Sequence, residues 1–290
     1  PAAHVLLQAI AGHARAALVP DVPFPDPQHV KPTWTKMGLV VVESAAWSEV
    51  ERDLASRQAS AFARLVKQAR LYTDVVAAAN SSHLGQPALL HGHDFSPGPE
   101  WAPPVTAFAR PTWSFPAYFG ALGFRTLMVS SQDESWLEMK RLTLDLHWTA
   151  ATHGPDNAQA RDHYADLGGV SKVWDQVTVQ QARAMLAREA GPLFLYVVLQ
   201  NTHFPYVTRG KPVGEGFGPN DFMVMPADRV GLARQRYRAV LAATLDEAAN
   251  LALAHPEMLW IIVGDHGESM QGGFEFAHAK HARSEEAATF

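Results

Sequence analysis

Three short runs constrain what this chain can fold into: "MGLVVVE" (Met37 to Glu43), "LFLYVVLQ" (Leu193 to Gln200) and "MLWIIVG" (Met258 to Gly264). Each is apolar without alternation, so each needs cover on both faces, the condition of a strand in a parallel sheet. Helical patterns lie between them: "SAFARLVKQARLY" after the first, "VTVQQARAMLAREA" before the second and "ADRVGLARQRYRAVLAATLDEAANLALAH" before the third. From Trp113 onward the alternation repeats, with a helix through "FPAYFGALG" ending at Gly123, a strand in "FRTLMVSS" and a helix in "ESWLEMKRLTLDL". Strands separated by helical crossovers predict an α/β fold with a largely parallel central sheet and helices on both faces.

With 290 residues, 47% of them hydrophobic, the chain can bury one large core. A net charge of −5 without a basic cluster argues against nucleic acid as a partner. Cysteine is absent, which excludes disulfides, thiolate ligands and a Cys nucleophile, so any metal must be held by His and carboxylates. No apolar stretch is long enough to span a bilayer; Trp101 to Phe124 is interrupted by Arg110 and four prolines. Residues 1–36 read as a helix in "HVLLQAIAGHARAAL" and an extended, Pro-rich lead-in, with one domain over 37–290. The start at Pro1 and the end in "EEAATF" suggest a piece of a longer polypeptide, truncated at its C-terminal part.

In open α/β sheets ligands bind beyond the carboxyl ends of the strands, so the residues that follow each strand matter most. The first run ends in Glu43-Ser44, the second leads to Asn201-Thr202-His203, and the third to Asp265-His266-Gly267-Glu268. Singly, each has an ordinary reading: Glu43 as a cap for the next helix, Asp265 and His266 as a turn, His203 as one of 14 histidines in a loop. Glu43 from one strand end and the Asp265-His266 pair from another together form an O/O/N donor set suited to Zn²⁺ or Mn²⁺, with a coordination position left over. In "NSSHLGQPALLHG" a hydroxyl, Ser82 or Ser81, stands at the start of a short helix, where it is either a metal-activated nucleophile or a plain N-cap. Gly264 and Gly267 would let the backbone turn around the ion, and Glu268 reads as a supporting or helix-capping residue.

These segments resemble the alkaline-phosphatase/sulfatase superfamily, closest to its lipoteichoic-acid-synthase-like and phosphoethanolamine-transferase-like branch. "LVVVES", "SSHLGQPALLHG", "ALGFRTLMVSSQDESW", "LYVVLQNTHFPY" and above all "WIIVGDHGES" carry the resemblance, which extends from Met37 over nearly the whole chain. It implies that 37–290 is a sulfatase-like catalytic domain, incomplete at the C-terminus. It further implies Glu43, Asp265 and His266 as metal ligands and Ser82 as nucleophile, ten residues before Gly92. His203 and Lys280 would bind substrate, and His278, in "FAHAKH", would protonate the leaving group.

Two departures from the sulfatase pattern bear on the chemistry. Formylglycine sulfatases place Pro two residues and Arg four residues after the modified position, whereas this chain has Leu84 and Gln86. They also carry paired aspartates after the first strand, where this chain has Glu43-Ser44. The resemblance thus implies a metal-dependent phosphotransferase or phosphodiesterase working through a phospho-serine. A sulfuric ester hydrolase and a catalytically silent domain of the same fold are the alternatives. The cofactor would be Zn or Mn, with Ca or Mg as further options, and the substrate a small-molecule or lipid-linked phosphoester. The setting would be periplasmic, or the extracellular face of a bacterial membrane, with membrane attachment only through a segment absent from this sequence.

Overall fold

The computed structural model of the chain describes residues 25–73, 75–77, 79, 81–92, 114–135, 139–156, 173–206, 216–217, 221, 224–273, 276–277 and 288–289. Strands β1 (Lys36–Val42), β3 (Arg125–Ser130), β4 (Ala150–Thr152), β5 (Leu193–Leu199) and β6 (Leu259–Gly264) form a parallel sheet in the order β4-β3-β5-β1-β6. The helices are α1 (Trp47–Ser56), α2 (Ala61–Val66), α3 (Ser82–His91), α4 (Phe115–Ala121), α5 (Asp175–Leu186) and α6 (Val230–Ala254). Small antiparallel pairs join β2 (Val75–Val76) to β9 (Ala288–Thr289) and β7 (Ser269–Met270) to β8 (Phe276–Ala277).

The apolar runs form strands because both sheet faces are covered. Every residue of β5 is buried. On one face Leu127, Val129, Leu193, Leu195, Val197 and Leu199 pack with Val179, Ala182 and Leu186 of α5 and with Ala248 and Leu251 of α6. On the other, Leu39, Val41, Met128, Phe194, Tyr196 and Val198 lie under Leu90 of α3 and Phe115 and Phe119 of α4. Period-2 alternation thus assigns each strand position to one helix layer, an assignment that also governs the first residues past the strand ends. No helix among the described residues is long and apolar enough to cross a membrane.

Several local expectations are revised. "SAFARLVKQARLY" is helical only over α2, whose start is capped by the Ser60 hydroxyl on the Ala63 N–H, and α1 precedes it. Within "ESWLEMKRLTLDL" the described residues hold a π-helical turn, Lys140–Leu144, where the Thr143 hydroxyl lies 2.6 Å from the Met139 carbonyl and competes for it. The lead-in is not wholly extended, because Asp26 caps a 3₁₀ turn at Pro27–His29. The helix expected in "HVLLQAIAGHARAAL" lies outside the described residues.

A buried carboxylate absent from the sequence reading ties the strand ends together. Asp175, at the start of α5, accepts hydrogen bonds from the Ser131 hydroxyl after β3 and the Thr244 hydroxyl of α6. It also accepts from the Gln200 and Asn201 N–H groups after β5. Burial pushes its pKa up from 3.8 to about 6, against the pull of these hydrogen bonds. The native state therefore holds this proton more tightly than the unfolded chain does. The group's stabilisation is complete below about pH 3.8 and is lost as pH rises through about 6, a swing on the order of 3 kcal/mol. Asp175→Asn turns an amide donor toward N–H and O–H donors and is expected to cost about 1–3 kcal/mol. Thermal melts from pH 4 to 7 should show the gap between parent and variant narrowing as pH rises, and a pH-independent gap would refute this account.

Candidate active site

The site lies past the carboxyl ends of β1 and β6, under the N-terminus of α3. β1 runs into Glu43 and β6 into Asp265-His266, and all three side chains are buried, with Glu43 and His266 fully so. One ligand atom from each lies within 4.8 Å of the others, the one such group of three found among the described residues. His266 Nε2 is 3.6 Å from Glu43 Oε1 and 3.7 Å from Asp265 Oδ1. Its Nδ1 lies 2.7 Å from the Gly267 carbonyl, to which it must donate, so Nε2 is the atom turned toward the cluster.

Between the two serines that open α3 the geometry distinguishes. The Ser82 hydroxyl donates to Glu43 Oε1 at 2.5 Å and lies 3.1 Å from His266 Nε2. Ser81 is the N-cap in extended backbone, makes no side-chain cap bond, and its buried hydroxyl has no hydrogen-bond partner among the described residues. Gly85 makes the approach of α3 possible. A Cβ there would sit 2.8 Å from the Asp265 carbonyl oxygen, closer than two such atoms can come.

Asp265 is held from several directions. Its Oδ1 accepts from the Ser44 and His266 N–H groups and its Oδ2 from the Gln86 amide. Ser44 has φ 53°, a left-handed conformation uncommon for a side-chain-bearing residue. Tyr237 of α6 fixes that turn by donating to the Ser44 carbonyl and accepting from the Ala46 N–H. In the other turn, after β6, neither Gly264 nor Gly267 has positive φ among the residues described, so Asp265-His266 is reached without a left-handed glycine.

The electrostatics are those of a cation site. Burial raises the Asp265 carboxyl to about 6, with Glu43 adding to the rise and His266 opposing it. Burial alone would lower His266, but the adjacent Asp265 and Glu43 carboxylates raise it to about 10. Two buried carboxylates and an inward-turned imidazole nitrogen suit a divalent ion, whose charge would take the place of the imidazolium proton. Hard oxygen donors with one imidazole fit Zn²⁺ and Mn²⁺ alike.

The remaining sequence-derived residues fall differently. His203 lies in the turn after β5, partly buried, with Nδ1 donating to the Phe204 carbonyl at 2.7 Å. It acts electrostatically on Glu268 and is not one of the three clustered ligands. Glu268 caps no helix, because β7 follows it; its Oε1 accepts from the Tyr206 hydroxyl at 2.5 Å, and burial lifts its pKa to about 7. Glu43 caps no helix either, since Ala46 is the N-cap of α1. His278 and Lys280 lie outside the described residues.

A row of amides continues the site across the sheet, and sequence reasoning missed its role. The registers Val42↔Leu199, Val42↔Gly264 and Ser130↔Val198 put Gln200 and Asp265 opposite Glu43, and Gln132 opposite Gln200. The ladder indeed extends past the strands, with Glu43 N–H bonded to the Leu199 carbonyl and Ser131 N–H to the Val198 carbonyl. By alternation from Met128, Val198, Val41 and Val263, all four residues belong to the α3 face. One rung therefore reads Gln132, Gln200, Glu43, Asp265 from β3 to β6. The only advance signal was that two of the apolar runs are followed by glutamine.

The family model described as "Sulfatase" matches residues 38–289. Solved structures share the fold at low identity. A protein of the alkaline phosphatase superfamily from Vibrio parahaemolyticus superposes with TM-score 0.57 at 13% identity, covering 98% of this chain and 67% of its own. The lipoteichoic acid synthase LtaP from Listeria monocytogenes gives 0.57 at 12%, covering 81% and 57%. The C-terminal periplasmic domain of EcEptC from Escherichia coli, in complex with Zn, gives 0.57 at 14%, covering 81% and 65%. The chain thus spans roughly three fifths to two thirds of the length of these structures. No curated protein matches it in sequence.

Proposed function

The chain belongs to the sulfatase family, whose fold it shares with phosphotransfer enzymes, and from that premise we propose that it is a metal-dependent phosphotransferase or phosphodiesterase with Ser82 as nucleophile. The observation that carries this reading is the Ser82 hydroxyl, 2.5 Å from Glu43 and 3.1 Å from His266 Nε2, at the first residue of a helix. Glu43, Asp265 and His266 would hold the metal. A divalent ion held there, Zn²⁺ or Mn²⁺, would lower the pKa of a neighbouring hydroxyl and offset charge on phosphoryl oxygens.

The chain's own groups account for the rest. Ser82 Oγ gives up its proton along the hydrogen bond to Glu43 and forms a bond to phosphorus, the bond to the leaving alcohol breaks, and that oxygen takes up a proton. The positive end of the α3 dipole, at Ser82, would favour charge on the non-bridging oxygens. His203, near Glu268, is assigned to the substrate side. By the same resemblance Lys280 binds substrate and His278 delivers the leaving-group proton. Phospho-Ser82 then passes its phosphoryl group to water or to an acceptor hydroxyl. The substrate class is a small-molecule or lipid-linked phosphoester. The setting is periplasmic or extracellular, a reading supported by likeness to the periplasmic domain of EcEptC.

The family description itself favours a second reading, sulfuric ester hydrolysis. Leu84 and Gln86 count against it, because they replace the Pro and Arg that accompany a formylglycine. The test compares an aryl phosphodiester, an aryl phosphomonoester and an aryl sulfate, each with protein stripped of metal and reloaded with Zn²⁺ or Mn²⁺. Turnover of the phosphodiester that requires metal is expected. Preference for the sulfate would transfer the assignment to the second reading, and inertness toward all three with no bound metal would indicate a silent domain.

A further inference from the structure

The rung across the sheet is charged on one side and neutral on the other, and the two sides are joined by α3. Gln86 lies four residues after Ser82, on the same face of the helix. Its Nε2 donates to Asp265 Oδ2 at 3.2 Å and lies 3.5 Å from Gln132 Oε1, which also accepts from Gln200 Nε2 at 3.1 Å. All three amides are buried, Gln86 and Gln132 completely.

The polarity of this chain is fixed from one end. The Asp265 carboxylate only accepts, so Gln86 must turn its NH₂ group toward it. Both Gln86 hydrogens are then committed, one to Asp265 and one toward Gln132, which must present its oxygen. Gln200 in turn must present its nitrogen. Reversing any one amide would bring oxygen against oxygen or N–H against N–H. The orientation is kept although Gln86 Oε1, Gln132 Nε2 and Gln200 Oε1 have no hydrogen-bond partner among the described residues.

We propose that Gln86, backed by Gln132 and Gln200, is a positioning relay that holds Asp265 in its ligating orientation and ties α3 to the metal end of the rung. The relay rests on the assignment of Asp265 as a metal ligand. It also gives a physical sense to the residue at position 86: a neutral donor orients Asp265 without adding a cation beside the metal. In the hydrogen bonds described, Gln132 is linked to Asp265 through Gln86, and Gln200 to Gln132.

The test is calorimetric titration of metal-stripped protein with Zn²⁺ at one pH, beside thermal melts without metal. The proteins are the parent chain, Asp265→Asn, Gln86→Leu, Gln132→Leu and the Gln86→Leu/Gln132→Leu pair. Supporting hydrogen bonds of this kind are typically worth about 10- to 100-fold in metal affinity. Gln86→Leu is expected to weaken Zn²⁺ binding by that factor and Gln132→Leu by less. The double variant should bind no more weakly than Gln86→Leu, because Gln132 works through Gln86. Each leucine leaves a buried partner, Asp265 Oδ2 or Gln200 Nε2, without its hydrogen bond, so the metal-free melting temperature should fall modestly while the variants still fold. If Gln86→Leu binds Zn²⁺ as the parent does, or if the two losses multiply in the double variant, the relay is wrong while the metal site stands. If the parent binds no Zn²⁺, or Asp265→Asn binds as well as the parent, the ligand assignment fails and the relay with it.

Discussion

Ser82→Ala is expected to abolish phosphodiester turnover, a loss on the order of 10⁴- to 10⁶-fold in kcat, the scale seen when an activated serine nucleophile is removed. The carboxylates and imidazole of Glu43, Asp265 and His266 all remain in the variant. Metal content should therefore persist in the variant while turnover disappears. Quenching the parent during turnover and digesting it should yield a peptide carrying one phosphoryl group on Ser82, absent from the variant. Ser81→Ala is the built-in comparison, since the neighbouring hydroxyl makes no hydrogen bond to the cluster. Equal losses in the two variants, or full turnover in Ser82→Ala, would remove Ser82 from the mechanism.

The second large effect is expected from a single methyl group. Gly85→Ala places its Cβ 2.8 Å from the Asp265 carbonyl oxygen, a backbone atom that cannot swing aside as a side chain would. Helix α3 and the end of β6 must separate, which costs about 1–3 kcal/mol as overpacking does. That displacement also lengthens the Ser82 hydrogen bonds to Glu43 and His266 and the Gln86 bond to Asp265. A misplacement of about 1 Å is worth about 100-fold in rate, so kcat should fall by that factor in a protein that still folds. Circular dichroism melts and steady-state kinetics measured together decide the matter. A variant with parent kcat would show that the contact between α3 and β6 does not set the geometry of the nucleophile.

The strands illustrate how far local sequence reaches. "LFLYVVLQ" and "MGLVVVE" could be read as buried strands because the residues before their terminal Gln200 and Glu43 bring no charge to either face, and β5 and β1 formed where expected. Helix ends were harder. The Thr143 hydroxyl, 2.6 Å from the Met139 carbonyl, accompanies a π-helical turn where a regular helix was expected, and periodicity does not record such competition. Among the residues of the proposed site, Glu43, Asp265 and His266 were recognisable by side-chain type at strand ends, and Ser82 by resemblance to the family's nucleophile helix. Gln132, Gln200 and Asp175 were not, because glutamine after a strand, or aspartate at the start of a helix, is ordinary until its partners are known.

By itself, then, the sequence determined the periodic content: which segments are buried strands, which are amphipathic helices, and which strands end in donor-bearing side chains. Only the tertiary structure decided which donors meet. Ser44 reaches Asp265 across 221 positions and Ser82 reaches His266 across 184, so no window of sequence contains both members of either pair. The contact of Ser82 rather than Ser81 with Glu43 and His266, the close pass at Gly85 and the rung of amides beside them all depend on how β1, β5 and β6 are registered and how α3 lies over them. The physical reason is that side-chain periodicity is a local property of the backbone, whereas register is set by hydrogen bonds and packing between strands distant in the chain.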